Sequence, residues 1–173
     1  MRSFLIATSL LIASAALPVA AADTRPNLCK PGEVPAWSCS TGGKIASLCA
    51  SANLSENEGA LIYRFGTRKK IELSYPEDGA KPQASYVGGV TGYSGGGTDY
   101  IRFKIGDISY TLYSDYYRGR EMDGIAIERG EKLLSALRCR SGAVDPGEGW
   151  GRIYKAKLPQ DETRWDTPAV RGK

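Results

Sequence analysis

The sequence predicts a mainly β protein, a small antiparallel β-barrel or sandwich of about seven to eight strands stapled by disulfides. Three observations carry this expectation. In "YIRFKIGDISYTLYS" (100–114), apolar Ile101, Phe103 and Ile105 alternate with Arg102 and Lys104. The chain then turns at Gly106-Asp107, and Ile108, Tyr110 and Leu112 resume the alternation. A period of two with one wet face is the mark of antiparallel sheet. Short apolar runs separated by turn residues recur along the chain, as in small barrels and sandwiches. Four cysteines in a chain that begins like an exported protein read as two disulfides.

The opening "MRSFLIATSLLIASAALPVAAAD" joins a basic Arg2, an apolar run from Phe4 to Leu17 and small residues ending at Ala22, the plan of a secretory signal peptide over 1–22. A membrane anchor needs about 20 apolar residues, and this run is shorter. The mature chain of about 151 residues is expected to be one soluble domain, periplasmic or secreted, with no membrane insertion. Losing Arg2 leaves 22 basic against 19 acidic side chains, about +3. Both signs are interspersed, so no nucleic-acid partner is expected. The densest basic run, Arg68 to Lys70, reads as a solvated turn.

Residues 23–43 are expected to form a disulfide-looped N-terminal segment, 44–139 the antiparallel β domain and 140–173 a poorly ordered tail. Within the domain, "KIASLCAS" is the first strand. "ALIYRFG" places Leu61, Tyr63 and Phe65 on one face and pairs with "KIELSY" as a hairpin. "PEDGAKP" is a turn. "YVGGVTGYSGGGTDY" holds six of the 21 glycines and reads as a flexible loop or bulged edge. "SDYYRGREMDG" is a further loop, "IAIERG" a strand and "EKLLSALRC" a last strand or short helix. In the tail, Trp150 and Tyr154 are candidates to pack back, and Trp165 to meet a partner.

Cys29, Cys39 and Cys49 are evenly spaced, and Cys139 is remote. No histidine and no close cysteine pair is present, which argues against a zinc site and a thioredoxin-like centre. No metal or cofactor is expected. Of the three pairings, Cys29 with Cys39 and Cys49 with Cys139 is the expectation, the second joining the first core strand to the last.

Without histidine, the Ser-His and Cys-His arrangements are excluded. Lys44 is followed by Ile45, so "GGKIAS" fails the phosphate-loop spacing. Glu56, Glu58, Glu72, Asp99, Asp115 and Asp123 supply carboxylates for glycoside cleavage, but no spacing marks a pair. The chain therefore reads as noncatalytic and as acting by contact, for which Tyr, Trp and Arg are the usual anchors. "YSDYYRGR" offers Tyr116, Tyr117 and Arg118, and strand alternation would send the two tyrosines to opposite faces. "TGYSGGGTDY" offers Tyr93, Ser94, Gly95 and Tyr100.

The order "SLCAS", "YRFG", "IELSYP", a "GGG" loop, "YIRFKIGDISYTLYS" and "LRC" resembles a recurring type of uncharacterised exported protein of Gram-negative bacteria, over Cys29 to Cys139. More distantly, the signal peptide, the stapled barrel and a Ser-Gly loop ahead of a Tyr (Ser94 to Tyr100) are similar to periplasmic lysozyme inhibitors. In those families a Ser-Gly-x-x-Tyr type loop enters the lysozyme cleft; here four residues separate Ser94-Gly95 from Tyr100. The resemblance implies a protein partner such as a cell-wall hydrolase. An immunity protein against a secreted toxin would share these features. The alternatives are an envelope hydrolase using carboxylates and a structural envelope protein.

Overall fold

Up-and-down hairpins build two antiparallel sheets in the computed structural model, which describes residues 26–76, 80–140 and 149–168. The expected signal peptide and the parts 141–148 and 169–173 of the expected tail lie outside the described residues. β1 (Glu33–Ser40), β2 (Ile45–Ser51), β3 (Leu61–Thr67) and β4 (Lys70–Tyr75) form one sheet in chain order. β5 (Val87–Tyr93), β6 (Gly96–Ile105), β7 (Ile108–Tyr117), β8 (Arg120–Arg129) and β9 (Lys132–Arg138) form the other. A short helix, α1 (Pro82–Ser85), precedes β5. Past the end of β9, the Arg140 amide donates to the carbonyl of Ser40, the last residue of β1, at 2.8 Å. β1 and β9 form no ladder among the described residues, so the sheets stay separate and the fold is a sandwich, not a closed barrel.

The alternation read from the sequence sets the core. Ala46, Leu48 and Ala50 of β2 and Leu61 and Tyr63 of β3 meet Ile101, Phe103, Leu112 and Ile125 of the facing sheet. Phe103 sits among aromatic rings, 5.0 Å from Tyr63, 4.5 Å from Tyr75, 5.7 Å from Tyr86 and 5.0 Å from Tyr110. Gly106-Asp107 is the two-residue turn between β6 and β7, with Gly106 at φ 59°. The Arg68-Lys69 pair is the turn between β3 and β4.

Nine strands among the described residues replace the expected seven to eight, because two segments assigned to loops are strands. β1 lies within the expected disulfide loop 23–43, so the domain starts before Lys44. Pro35 is tolerated in this strand because β1 is an edge strand and the register shifts between Pro35 and Trp37. β5 and the start of β6 replace the expected glycine loop. Gly89 lies opposite Tyr100 and Gly124 opposite Tyr113, and in both places a Cβ would overlap the tyrosine ring. Here glycine makes room for a cross-strand aromatic ring.

The disulfide pairing is also corrected: Cys29 bonds Cys49, and Cys39 bonds Cys139. Strand period explains it. Cys39 faces the core, where Cys139 arrives from the end of β9. Cys49 lies at the opposite parity to Leu48 and Ala50, on the outer face of β2. The N-terminal segment covers that face, the Leu28 amide donating to Ser47 Oγ at 3.0 Å and Ser38 Oγ to the Pro26 carbonyl at 2.6 Å.

Residues 149–168 of the expected poorly ordered tail are packed. α2 (Gly149–Lys155) closes one end of the sandwich, with Trp150, Ile153 and the following Ala156 joining the core. The chain then crosses the outer face of the five-stranded sheet. The Gly88 amide donates to the Pro159 carbonyl at 2.9 Å and the Asp161 amide to the Gly88 carbonyl at 2.8 Å, occupying the edge of β5. Trp165, expected to meet a partner, is 3% exposed; its ring lies 5.3 Å from Tyr100 and 5.4 Å from Tyr113, and its Nε1–H donates to Glu128 at 2.9 Å.

Candidate functional site

Two hairpin ends from the five-stranded sheet form one surface. The β5–β6 turn is Ser94-Gly95, with Gly95 at φ 86°; the β7–β8 turn is Arg118-Gly119, with φ of 49° and 79°. Positive φ at both central residues gives the reversal whose twist matches a hairpin, so the expected "SDYYRGREMDG" loop is instead a tight turn between long strands. The Arg118 amide donates to the Gly95 carbonyl at 2.9 Å, tying the turns together. The Tyr93 and Tyr117 rings lie 5.9 Å apart, and the Arg118 guanidinium stands 5.1 Å over the Tyr117 ring. The structure thus assembles Tyr93, Ser94, Gly95, Tyr117 and Arg118; Tyr116 belongs to the same hairpin end but to the other face of the sheet.

Alternation along β7 sends Tyr116 and Tyr117 to opposite faces of the sheet, and Tyr116 is 53% exposed. Tyr100 does not join the surface. It is buried beneath Trp165, with its hydroxyl donating to the Thr163 carbonyl at 3.3 Å.

Asp115 anchors the surface from beneath. Its carboxylate is buried and accepts hydrogen bonds from the hydroxyls of Tyr93 and Thr98 through Oδ1. Oδ2 has no protein partner among the described residues. Burial pushes the Asp115 carboxyl up to about 6.

The opposite, core-side face of the same strands carries residues that the sequence reading did not assemble. Cross-strand register places Val90, Asp99, Ser114 and Asp123 in one row, and Gly92, Gly97, Tyr116 and Glu121 in the next row outward. The row on their inner side is Ile101, Leu112 and Ile125, fully buried. Apolar residues therefore give way to Asp, Ser and Asp without a break in the alternation. Trp150 of α2 closes over these rows, leaving a cavity of about 160 Å³ lined by Asp99, Ser114, Tyr116, Glu121, Asp123 and Trp150 among others. Tyr154 donates its hydroxyl to Asp99. A signal for this site was present in polar residues standing at core parity, but it needed the exact hairpin register.

The other carboxylates considered for catalysis lie apart. Glu72 pairs with Lys44 at 2.6 Å, and Glu56 and Glu58 are exposed in the β2–β3 connection. Among the described residues, Cys29, Glu33 and Cys49 are grouped as metal ligands would be, but both sulfurs are bound in the disulfide. No described helix is long and apolar enough to cross a membrane. No family model, curated protein or solved structure matches this chain.

Proposed function

We propose that this protein is a noncatalytic binding domain that engages another protein through the joined β5–β6 and β7–β8 turns. Its two disulfides suggest an oxidising, extracytoplasmic setting, and the periplasm is the compartment we assign. A cell-wall hydrolase such as lysozyme is the partner class, with the protein as its inhibitor.

The observation that carries this reading is the convergence of two separate Tyr-containing turns into one surface. Tyr116, Val90 and Tyr154 are 53%, 63% and 52% exposed on neighbouring rows and the adjoining helix. Exposed apolar side chains grouped at the rim of a concave surface mark interaction sites more often than scattered ones do. Tyr and Arg are also the side chains that carry interface energy.

Inhibition of wall lysis by a panel of purified muramidases tests the proposal. The wild-type protein should inhibit at least one of them. Tyr116→Ala with Arg118→Asn should weaken inhibition by roughly 30-fold, the factor that a ~2 kcal/mol anchor represents. Asn is chosen at 118 because it tolerates the positive φ of the turn. Inhibition unchanged by the double substitution would remove the turns from the interface.

A second reading, a hydrolase using carboxylates, is favoured by the raised titration of Asp115 and by the nearness in register of Asp99 and Asp123. It is the weaker one, because a general acid must reach the bond it protonates and Asp115 is sealed beneath Tyr93 and Thr98.

A further inference from the structure

We infer that the notch beyond the start of β5 is a binding site for a short extended peptide carrying one free carboxylate. The site lies at the end of β5 away from the two turns, so it adds a small ligand to the protein partner proposed above and does not depend on it.

Strand alternation locates the notch. Gly88 turns both backbone groups to the tail, its amide donating to Pro159 at 2.9 Å and its carbonyl accepting from Asp161 at 2.8 Å. Neighbouring residues of a strand direct these groups to opposite sides, so Val87 faces β6, and Arg102, opposite Val87, faces β5. Two positions further along β6, Lys104 faces the same side, but β5 has already ended at Val87. The register would set Ser85 opposite Lys104, and Ser85 is instead the last residue of α1. No turn, loop or side-chain hydrogen bond among the described residues reaches the Lys104 N–H or carbonyl. The ladder thus lacks a partner for one residue.

A cavity of about 600 Å³ occupies this place, with Ala84, Ser85, Val87, Lys104, Glu162 and Thr163 in its lining. The volume falls within the usual range of small-molecule sites, ~300–1,000 Å³. Ala84, Lys104, Glu162 and Thr163 are exposed, so a ligand meets them directly. Tyr75, half-buried and stacked 4.5 Å from Phe103, adds an apolar surface to the lining.

The free groups set the ligand class. An N–H and a carbonyl offered side by side by one strand residue match one residue of an extended peptide, which returns both bonds; peptides add to sheet edges in this way. Charge supplies the second requirement. Arg102 is already engaged, pairing with Asp161 at 2.7 Å and donating to Thr111 and Thr163. Lys104 takes part in none of the ion pairs among the described residues and is the cation left for a ligand carboxylate. Glu162, in the same lining and likewise outside those ion pairs, disfavours a polyanion.

The probe is acetyl-tri-alanine with a free carboxylate, titrated into the full mature protein while the amides of Lys104, Ser85 and Val87 are followed by NMR. Saturable shifts at all three are expected. The C-terminal amide of the probe should bind about tenfold more weakly, equivalent to ~1.4 kcal/mol. The fully N-methylated tripeptide, which cannot donate to the Lys104 carbonyl, should give no saturable shift, and acetate alone should give none. Lys104→Gln should lower affinity for the carboxylate probe to that of the amide form. Ala84→Trp, at an exposed position of the lining, should fill the cavity and abolish binding; unchanged amide shifts elsewhere verify the fold of both variants. No saturable shift with the carboxylate probe, equal binding of the N-methylated probe, of acetate or of the amide form, or indifference to Ala84→Trp would overturn the site.

Discussion

Asp115 links turn geometry to pH. Its folded-state pKa, about 6, is raised above the ordinary 3.8 because burial disfavours the charged form. The folded protein therefore holds this proton more tightly than the unfolded chain. Its contribution to stability is fully present below the unfolded value and is lost as pH rises through about 6. Glu33 has the opposite sign. Burial works against its carboxylate, but bonds from Arg64 at 2.5 and 2.8 Å and from the Lys30 amide outweigh burial and hold it below its usual value. Its contribution is present above the unfolded value and lost as pH falls through the folded one. Urea unfolding of Asp115→Asn should accordingly show less decline in stability between about pH 4 and 7 than wild type does, while Glu33→Gln should remove part of the loss on acidification. An Asp115→Asn profile parallel to wild type would contradict the assignment. Little of this was legible in the sequence. Asp115 stood in the quoted "YSDYYRGR", but its burial depends on Tyr93 and Thr98, which reach it only after β5, β6 and β7 pair.

At the scale of elements, hairpins whose alternation is unbroken were readable, and those with Pro or Gly were not. The Gly106-Asp107 turn and the faces of β3, β6 and β7 follow directly from period two. β1 lies in a stretch assigned to a loop, where Pro35 is accepted only at an edge strand or bulge, and β5 in one read as a glycine loop, where Gly89 lies under the Tyr100 ring. Gly89→Ala and Gly124→Ala test this explanation. Each Cβ would collide with a ring, Tyr100 or Tyr113, that is itself held by Trp165. Overpacking of this kind costs about 1–3 kcal/mol, measurable as a lowered urea midpoint. Trp150 was expected to pack back and does, but the docking of the tail beyond it was not legible, because its buried contacts, Trp165 on Glu128 and Asp161 on Gly88, are isolated residues without periodicity. Docked on β5, it covers a strand edge that would otherwise be open to pairing. Truncation after Lys157 is expected to destabilise the protein and promote concentration-dependent association, checked by light scattering.

For the whole molecule, the two disulfides and the aromatic cluster act at different distances along the chain. Cys39–Cys139 spans 100 residues and Cys29–Cys49 spans 20. By the chain-entropy argument the first contributes about 4.7 kcal/mol and the second about 3. Replacing both cysteines of the long bridge by Ala should therefore lower stability more than the same change in the short one. Nonreducing peptide mapping should find Cys39 linked to Cys139. Phe103→Ala, emptying the centre of a five-ring cluster contributed by both sheets, should cost about 3–5 kcal/mol. The number of disulfides and the β class were visible in composition and periodicity; the pairing was not, because it depends on which face of the β1–β2 hairpin each cysteine occupies.

The most direct test of the central claim is a hydrogen-exchange map of the protein bound to a muramidase that it inhibits. Protection concentrated at 93–97 and 114–121, with exchange unchanged at the opposite hairpin ends, 105–108 and 129–132, is the predicted result. Protection at those opposite ends or on the β1–β4 sheet, with 93–97 and 114–121 unaffected, would contradict it, as would the absence of any inhibited muramidase.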